Sequence, residues 1–192
     1  SESKLYVLPN YISDISNLEI NRKKQFLYAG RVSKEKGVEE LIKSFLSLDL
    51  DDYCLKIIGT GPDLIRLKTK YLNKNVNFTG FVQNKDVLIE IQSSIAIVSA
   101  TKLYEGQPTL LCEASLNSIP VIFPKSGGIK EFLPINYEFL FEQHNYNDLQ
   151  KVMLNIINSD LKKIGKENKE FINNLLNKEN LLKIFSLAAE DK

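Results

Sequence analysis

Between residues 25 and 141, short apolar runs alternate with stretches whose apolar residues recur at helical spacing. The first run, Gln25-Phe26-Leu27-Tyr28-Ala29-Gly30, is short, continuous and stopped by Gly, which predicts a buried strand. Residues 38–48 follow, with Leu41, Ile42, Phe45 and Leu48 on one helical face. Further strands are expected over 53–58, 76–82, 95–98, 121–123 and 138–141, with helices over about 62–72 and 86–92 and one starting at Pro108. Pro108 is expected in the first helical turn, where its missing N–H has no partner to lose. After Asn145 the chain becomes polar and helical. Leu149, Val152, Met153, Ile156 and Ile157 share one face, and residues 161–176 and 180–189 predict two more helices. The charge-dense residues 162–170 read as a solvated face. Residues 1–24 read as a lead-in, with a short strand over 4–11. Strands alternating with helices predict an α/β domain over 25–192: a parallel sheet of about six strands, helices on both faces, and C-terminal helices. In such sheets ligands bind at the carboxyl ends of the strands.

Charge and composition narrow the chemistry by exclusion. Lys plus Arg number 25 and Asp plus Glu 24, so there is no electrostatic case for general nucleic-acid binding. No run of 18 apolar residues predicts a membrane span. The single histidine, His144, rules out a His-rich metal site and reads as a surface-loop residue. Cys54 and Cys112 both sit in apolar runs and read as buried free thiols of a reducing compartment. Gly59-Thr60-Gly61 lacks the third Gly of a dinucleotide fingerprint, since Leu64 stands there, and no P-loop run is present. It reads instead as a turn that lets a ligand approach closely.

Four segments fall at the expected strand ends. They are the loop Arg31–Lys36, the Gly59–Gly61 turn, the exit at Phe81-Val82, and the loop containing Glu105. The helix that follows Pro108 offers free amides near Thr109 and Leu110, which favour an anion. Glu105 precedes that helix and Glu113 lies roughly 7 Å along it at ~1.5 Å per residue. Two carboxylates flanking an anion site suit a ligand with hydroxyls at both ends and phosphate between, the layout of a nucleotide-sugar. Arg31 and Lys36 would supply the countercharge. The alternative is a solvated loop glutamate, an ordinary helix glutamate and a solvated basic loop.

Six motifs occur in order: Ala29-Gly30-Arg31-Val32-Ser33 with Lys36-Gly37; Ile58-Gly59 with Gly61-Pro62; Thr79-Gly80-Phe81-Val82; Glu105-Gly106 with Pro108 and Glu113-Ala114; Pro120-Val121-Ile122; and Gly127-Gly128-Ile129-Lys130-Glu131. Together they resemble the C-terminal, donor-binding domain of family 4 retaining glycosyltransferases, a Rossmann-like half of the GT-B fold, over roughly residues 5–141. The resemblance implies a metal-independent enzyme needing no cofactor. Arg31 and Lys36 would hold the pyrophosphate and stabilise the departing diphosphate. Gly30, Gly59 and Gly61 would line the ligand, Phe81 and the Val82 backbone would meet the base, and Glu105 beside Gly106 the sugar. Thr109 and Leu110 amides would meet phosphate and Glu113 the ribose. By that resemblance the catalytic residues are Glu105, Arg31 and Lys36, and uridine diphosphate is preferred over guanosine diphosphate. The acceptor, a glycan or lipid-linked sugar, would bind a preceding domain, for which residues 1–24 are the linker. The chain alone is then expected to transfer little or no sugar. A cytoplasmic place in cell-surface glycan synthesis, peripheral to the membrane, is expected. Ser118 departs from the family pattern, which often has Gly there. Other readings are a non-catalytic nucleotide-binding module, a sugar-nucleotide epimerase of the same fold, and, last, a nicotinamide oxidoreductase.

Overall fold

Phe26 and Tyr28 face one side of the first strand and Leu27 the other, and all three are buried. That is why its sequence is continuously apolar rather than alternating. The computed structural model describes residues 9–12, 21–72 and 74–190. In chain order these form β1 (Gln25–Ala29), α1 (Val38–Leu46), β2 (Cys54–Ile58), α2 (Leu64–Lys70), β3 (Val76–Gly80), α3 (Asn84–Ser93) and β4 (Ala96–Val98). There follow α4 (Thr109–Leu116), β5 (Val121–Pro124), a 3-10 turn (Ile129–Phe132), β6 (Leu140–Phe141), α5 (Tyr146–Ile157), α6 (Leu161–Leu175) and α7 (Lys178–Glu190).

All strand pairs are parallel, in the order β3-β2-β1-β4-β5-β6. The order runs outward in both directions from β1, so the connections reverse between β1 and β4. A crevice opens at the carboxyl ends of those two strands. One face of the sheet packs Phe26, Leu55, Ile57 and Val98 against Leu41 and Phe45 of α1, Leu67 of α2 and Leu149 and Met153 of α5. The other packs Leu27, Ile97 and Val121 against Ile91 of α3, Leu111 of α4 and Ile172 of α6. Each large side chain so buried contributes roughly 1.5–3 kcal/mol.

α4 ends in a tight backbone cap. Ile119 N–H donates to Ala114 O (2.9 Å) and Ser118 N–H to Ser115 O (3.0 Å), with Ser118 left-handed at φ 58°. That conformation explains why Gly suits this position and what the departure to Ser entails. Two elements close on the Ser118 carbonyl: Arg22 Nη2 donates to it at 2.9 Å, and Gly165 of α6 lies so close that a Cβ would run into it.

Several expectations shift. Pro108 is the N-cap of α4, not part of its first turn: its ψ of 100° is extended, while its carbonyl already accepts from Cys112 N–H (3.2 Å). α2 is shorter than 62–72, because Pro62 and Asp63 remain in the turn that leaves β2. The 3-10 turn at Ile129–Phe132 has no counterpart in the sequence reading. Cys54 is half-buried rather than buried, since it opens β2 at the amino-terminal rim of the sheet; Cys112 is buried, and both are free. Most of the strand expected over 4–11 lies outside the described residues, and residues 9–12 have no regular structure.

Candidate functional site

The loops after β1 and β2 are zipped together by backbone bonds. Val32 N–H donates to Thr60 O (2.8 Å) and Asp63 N–H to Val32 O (3.1 Å). Phe81, just past β3, stands beside them and is 78% exposed. Gly30, Arg31, Gly59, Gly61, Pro62 and Phe81 thus line one cavity of about 400 Å³. The Arg31 side chain is exposed and makes no hydrogen bond or ion pair among the described residues. Its backbone is fixed from below by the buried Tyr28, whose hydroxyl donates to Arg31 O at 2.7 Å. Burial first, then the charges of Glu105 and Glu35, raise the pKa of that phenol. The Val82 side chain packs into the core, leaving its backbone as the part a ligand could meet.

Lys36 and Glu105, 69 residues apart, meet across the crevice. Lys36 Nζ lies 2.6 Å from Glu105 Oε1, and both side chains are less than one-third exposed. Thr101 Oγ1 donates to the same oxygen at 3.0 Å. Gly37, next to Lys36, sits so tightly against the segment just past β4 that a Cβ would run into Ala100 O, and its φ of 66° is left-handed. Lys102 N–H donates to Glu35 O (2.9 Å), closing the same seam. From the opposite side, Gly128 N–H donates to Glu105 O (2.8 Å), and Gly127, at φ 56°, leaves no room for a Cβ against that carbonyl. Gly106 is exposed, and a Cβ there would meet nothing within 4 Å.

α4 begins without a side-chain cap, so the amides of Thr109 and Leu110 are among those that lack intrahelical partners. They present the positive end of the helix dipole. The preceding Gln107 is occupied elsewhere: Asn10 N–H donates to its Oε1 (2.6 Å) and its Nε2 donates to Asn10 O (2.9 Å). Glu113, one turn in, is half-buried, and its carboxylate has no hydrogen-bond or ion-pair partner among the described residues. Burial raises its pKa above the ordinary value.

A consequence can be measured without any ligand. At neutral pH Glu113→Gln is expected to melt higher than wild type, because it removes a charge that burial disfavours. The folded protein holds this proton more tightly than the unfolded chain. Wild-type stability therefore falls as pH rises from the ordinary Glu value through the raised one. Melting curves between about pH 3 and 8 should converge at the acid end and separate above it. A Gln variant melting below wild type at neutral pH would show that a partner stabilises the carboxylate.

The structure therefore gathers Gly30, Arg31, Gly59, Gly61 and Phe81 around one cavity and joins Lys36 to Glu105 beside it. Glu113 makes no bond to any of them. Thr101 and the Gly127–Gly128 hold on Glu105 are additional. The two glycines stand in a motif of the sequence, whereas Thr101 has no signal of its own. No three of the described His, Cys, Asp or Glu residues are grouped to hold a metal ion. His144 is exposed in the turn before α5. Another cavity of about 420 Å³, between Tyr137, Asp160 and Lys163, is lined by none of the strand-end loops. No described helix is long and apolar enough to cross a membrane.

Residues 13–178 match the family described as glycosyl transferases group 1. An uncharacterized glycosyltransferase of Methanocaldococcus jannaschii is 29% identical over 170 residues, 80% of this chain and 42% of that protein. The poly(ribitol-phosphate) alpha-N-acetylglucosaminyltransferase of Staphylococcus aureus is 30% identical over 97 residues, 50% of this chain and 19% of that protein. A mutant of S. aureus TarM, solved with Fondaparinux, alpha-GlcNAc-glycerol and UDP, superposes with a TM-score of 0.82 at 21% identity, over 95% of this chain and 39% of that one. The pneumococcal O-GlcNAc transferase GtfA, solved with UDP and GlcNAc, superposes with a TM-score of 0.80 at 18% identity, over 100% of this chain and 40% of that one. The sheet is thus of the Rossmann-like kind found in the GT-B fold, and the chain covers less than half the length of each of these proteins.

Proposed function

The chain belongs to the glycosyl transferases group 1 family, and we propose that it is the donor-binding domain of a family 4 retaining enzyme. The observation that carries this reading is the Lys36–Glu105 pair at the β1/β4 crevice, close to an unpaired Arg31 and an uncapped helix start. Arg31, Lys36 and the amides of Thr109 and Leu110 bind the pyrophosphate. As the bond from the sugar to the diphosphate breaks, negative charge builds on the leaving oxygen. Fixed donors already aimed at that position stabilise it without reorganising. Lys36 holds Glu105 in the unliganded site, and its flexible ammonium turns toward phosphate when the donor binds. Glu105 accepts from the sugar hydroxyls, Glu113 from the ribose, and the base lies on Phe81 against the Val82 backbone. UDP is the preferred nucleotide, as it is the one solved in both structural neighbours named above.

The acceptor, a glycan or lipid-linked sugar, is bound by a second domain; the coverage of relatives by this chain supports that division. Residues 1–24 act as the link, and Gln107 fastens part of it, at Asn10, beside the donor loop. The isolated chain then binds donor and transfers little. The reaction serves cell-surface glycans, on the cytoplasmic side, peripheral to the membrane.

Thermal shift with UDP, GDP, ADP and NAD tests this reading. A nucleotide at ~100 times its dissociation constant adds about 2.7 kcal/mol, roughly 5–10 °C for a chain of this size. The shift is expected with one nucleoside diphosphate, UDP first, and is expected to shrink in Arg31→Ala. Because Arg31 is exposed and unpaired, that substitution should leave unliganded stability within about 0.5 kcal/mol of wild type. No shift with any diphosphate, or a shift with NAD alone, rules the reading out.

A further inference from the structure

We infer that Thr101 is the positioning residue of Glu105 and that it sustains the sugar's share of donor affinity. This rests on the reading of Glu105 as the sugar-binding carboxylate. Thr101 is 2% exposed, in the loop that leads from the end of β4 to Glu105. Its hydroxyl is used from both sides: Oγ1 donates to Glu105 Oε1 at 3.0 Å and accepts from Leu103 N–H at 3.2 Å. That pair of bonds fixes the rotor and closes the loop leading to Glu105.

Oε1 also receives Lys36 Nζ at 2.6 Å, whereas Oε2 has no hydrogen-bond partner among the described residues. Glu105 therefore presents one oxygen, in one orientation, to an incoming ligand. Lys36 alone cannot guarantee this. Its ammonium sits on a flexible stem, and a pyrophosphate would draw it away from the carboxylate. When that happens Thr101 is the remaining contact that keeps Glu105 from turning. Its role is thus small in the empty site and in the complex with bare nucleotide, and full only when a sugar is present.

Three variants separate this from a structural role. Thr101→Val keeps the shape and loses the hydroxyl, Thr101→Ser keeps the hydroxyl, and Glu105→Gln is the reference. Calorimetry on the full chain gives dissociation constants for UDP and UDP-glucose, and in parallel for GDP and GDP-mannose. For the pair that binds, the quantity read is the ratio of the two constants. In Thr101→Val the sugar's part of the affinity is expected to fall roughly tenfold, as for loss of a hydrogen bond to a charged group. Bare-nucleotide affinity should stay within about twofold, and Thr101→Ser should restore the ratio. If the ratio holds in Thr101→Val but collapses in Glu105→Gln, Glu105 keeps its role and this inference falls. If the ratio holds in both, the reading of Glu105 falls and takes this with it. Equal loss of bare nucleotide and sugar-nucleotide affinity, or failure of Ser to rescue, reduces Thr101 to a packing residue. Absence of binding to either pair overturns the donor-site reading itself.

Discussion

Glu105→Gln is expected to lower sugar transfer by the intact protein at least about a hundredfold, the usual scale for removing one preorganised polar contact to a transition state. Nucleoside diphosphate affinity is expected to stay the same or tighten. In the wild type, Lys36 is neutralised by a carboxylate 2.6 Å away, in a place where both side chains are mostly shielded from water. A neutral amide frees the ammonium, and the nearest compensating charge is then the bound pyrophosphate. Loss of turnover with unweakened diphosphate binding separates a sugar contact from a general binding residue. Steady-state transfer and calorimetry with UDP supply the two numbers. Near-wild-type transfer would remove Glu105 from the reaction.

Gly37→Ala is expected to lose about 3 kcal/mol or more, a fall in Tm of roughly 6–12 °C for a chain of this length. Two costs add. The left-handed φ of 66° disfavours any side chain, by about 1–2 kcal/mol. A Cβ would also run into the backbone oxygen of Ala100, and the strand behind that oxygen is wholly buried and cannot retreat. The clash falls between Lys36 on one segment and Thr101 on the other, so diphosphate affinity should drop together with stability. Gly106→Ala is the control. Nothing lies within 4 Å of its would-be Cβ, and its stability change should be within about 0.5 kcal/mol. Thermal melts of the two variants side by side decide it. Equal stabilities would mean that the β1–α1 loop relaxes and that the seam with β4 is not tight.

Short apolar stretches stopped by Gly or bounded by polar turns were enough to locate six strands, and β1, β4 and β5 read as continuous runs because they are buried on both faces. Helical spacing located α1 and α5, whose inward faces, Leu41, Ile42 and Phe45, and Leu149, Val152 and Met153, are the ones buried. Boundaries were less legible. Pro108 fits a helix start by its φ alone, and only ψ, which depends on how the chain enters from the Glu105 loop, places it at the cap. Cys54 reads as core from its neighbours, yet its exposure follows from standing at the rim of the sheet.

By itself, then, the sequence determined the element types, the parallel α/β class and the loops on which charge and glycine are concentrated, since each is a local property of composition and spacing. Tertiary structure decided the strand order, and with it that the loops after β1 and β4 face one another. It decided that Lys36 spends its charge on Glu105, that Thr101 shares the same oxygen, and that Glu113 stays unpaired while Arg31 remains open to solvent. The Lys36–Glu105 pairing spans 69 residues, and each of these arrangements depends on distances of a few tenths of an ångström. Such distances are set by where the packed sheet carries each loop, and no pattern along the chain encodes them.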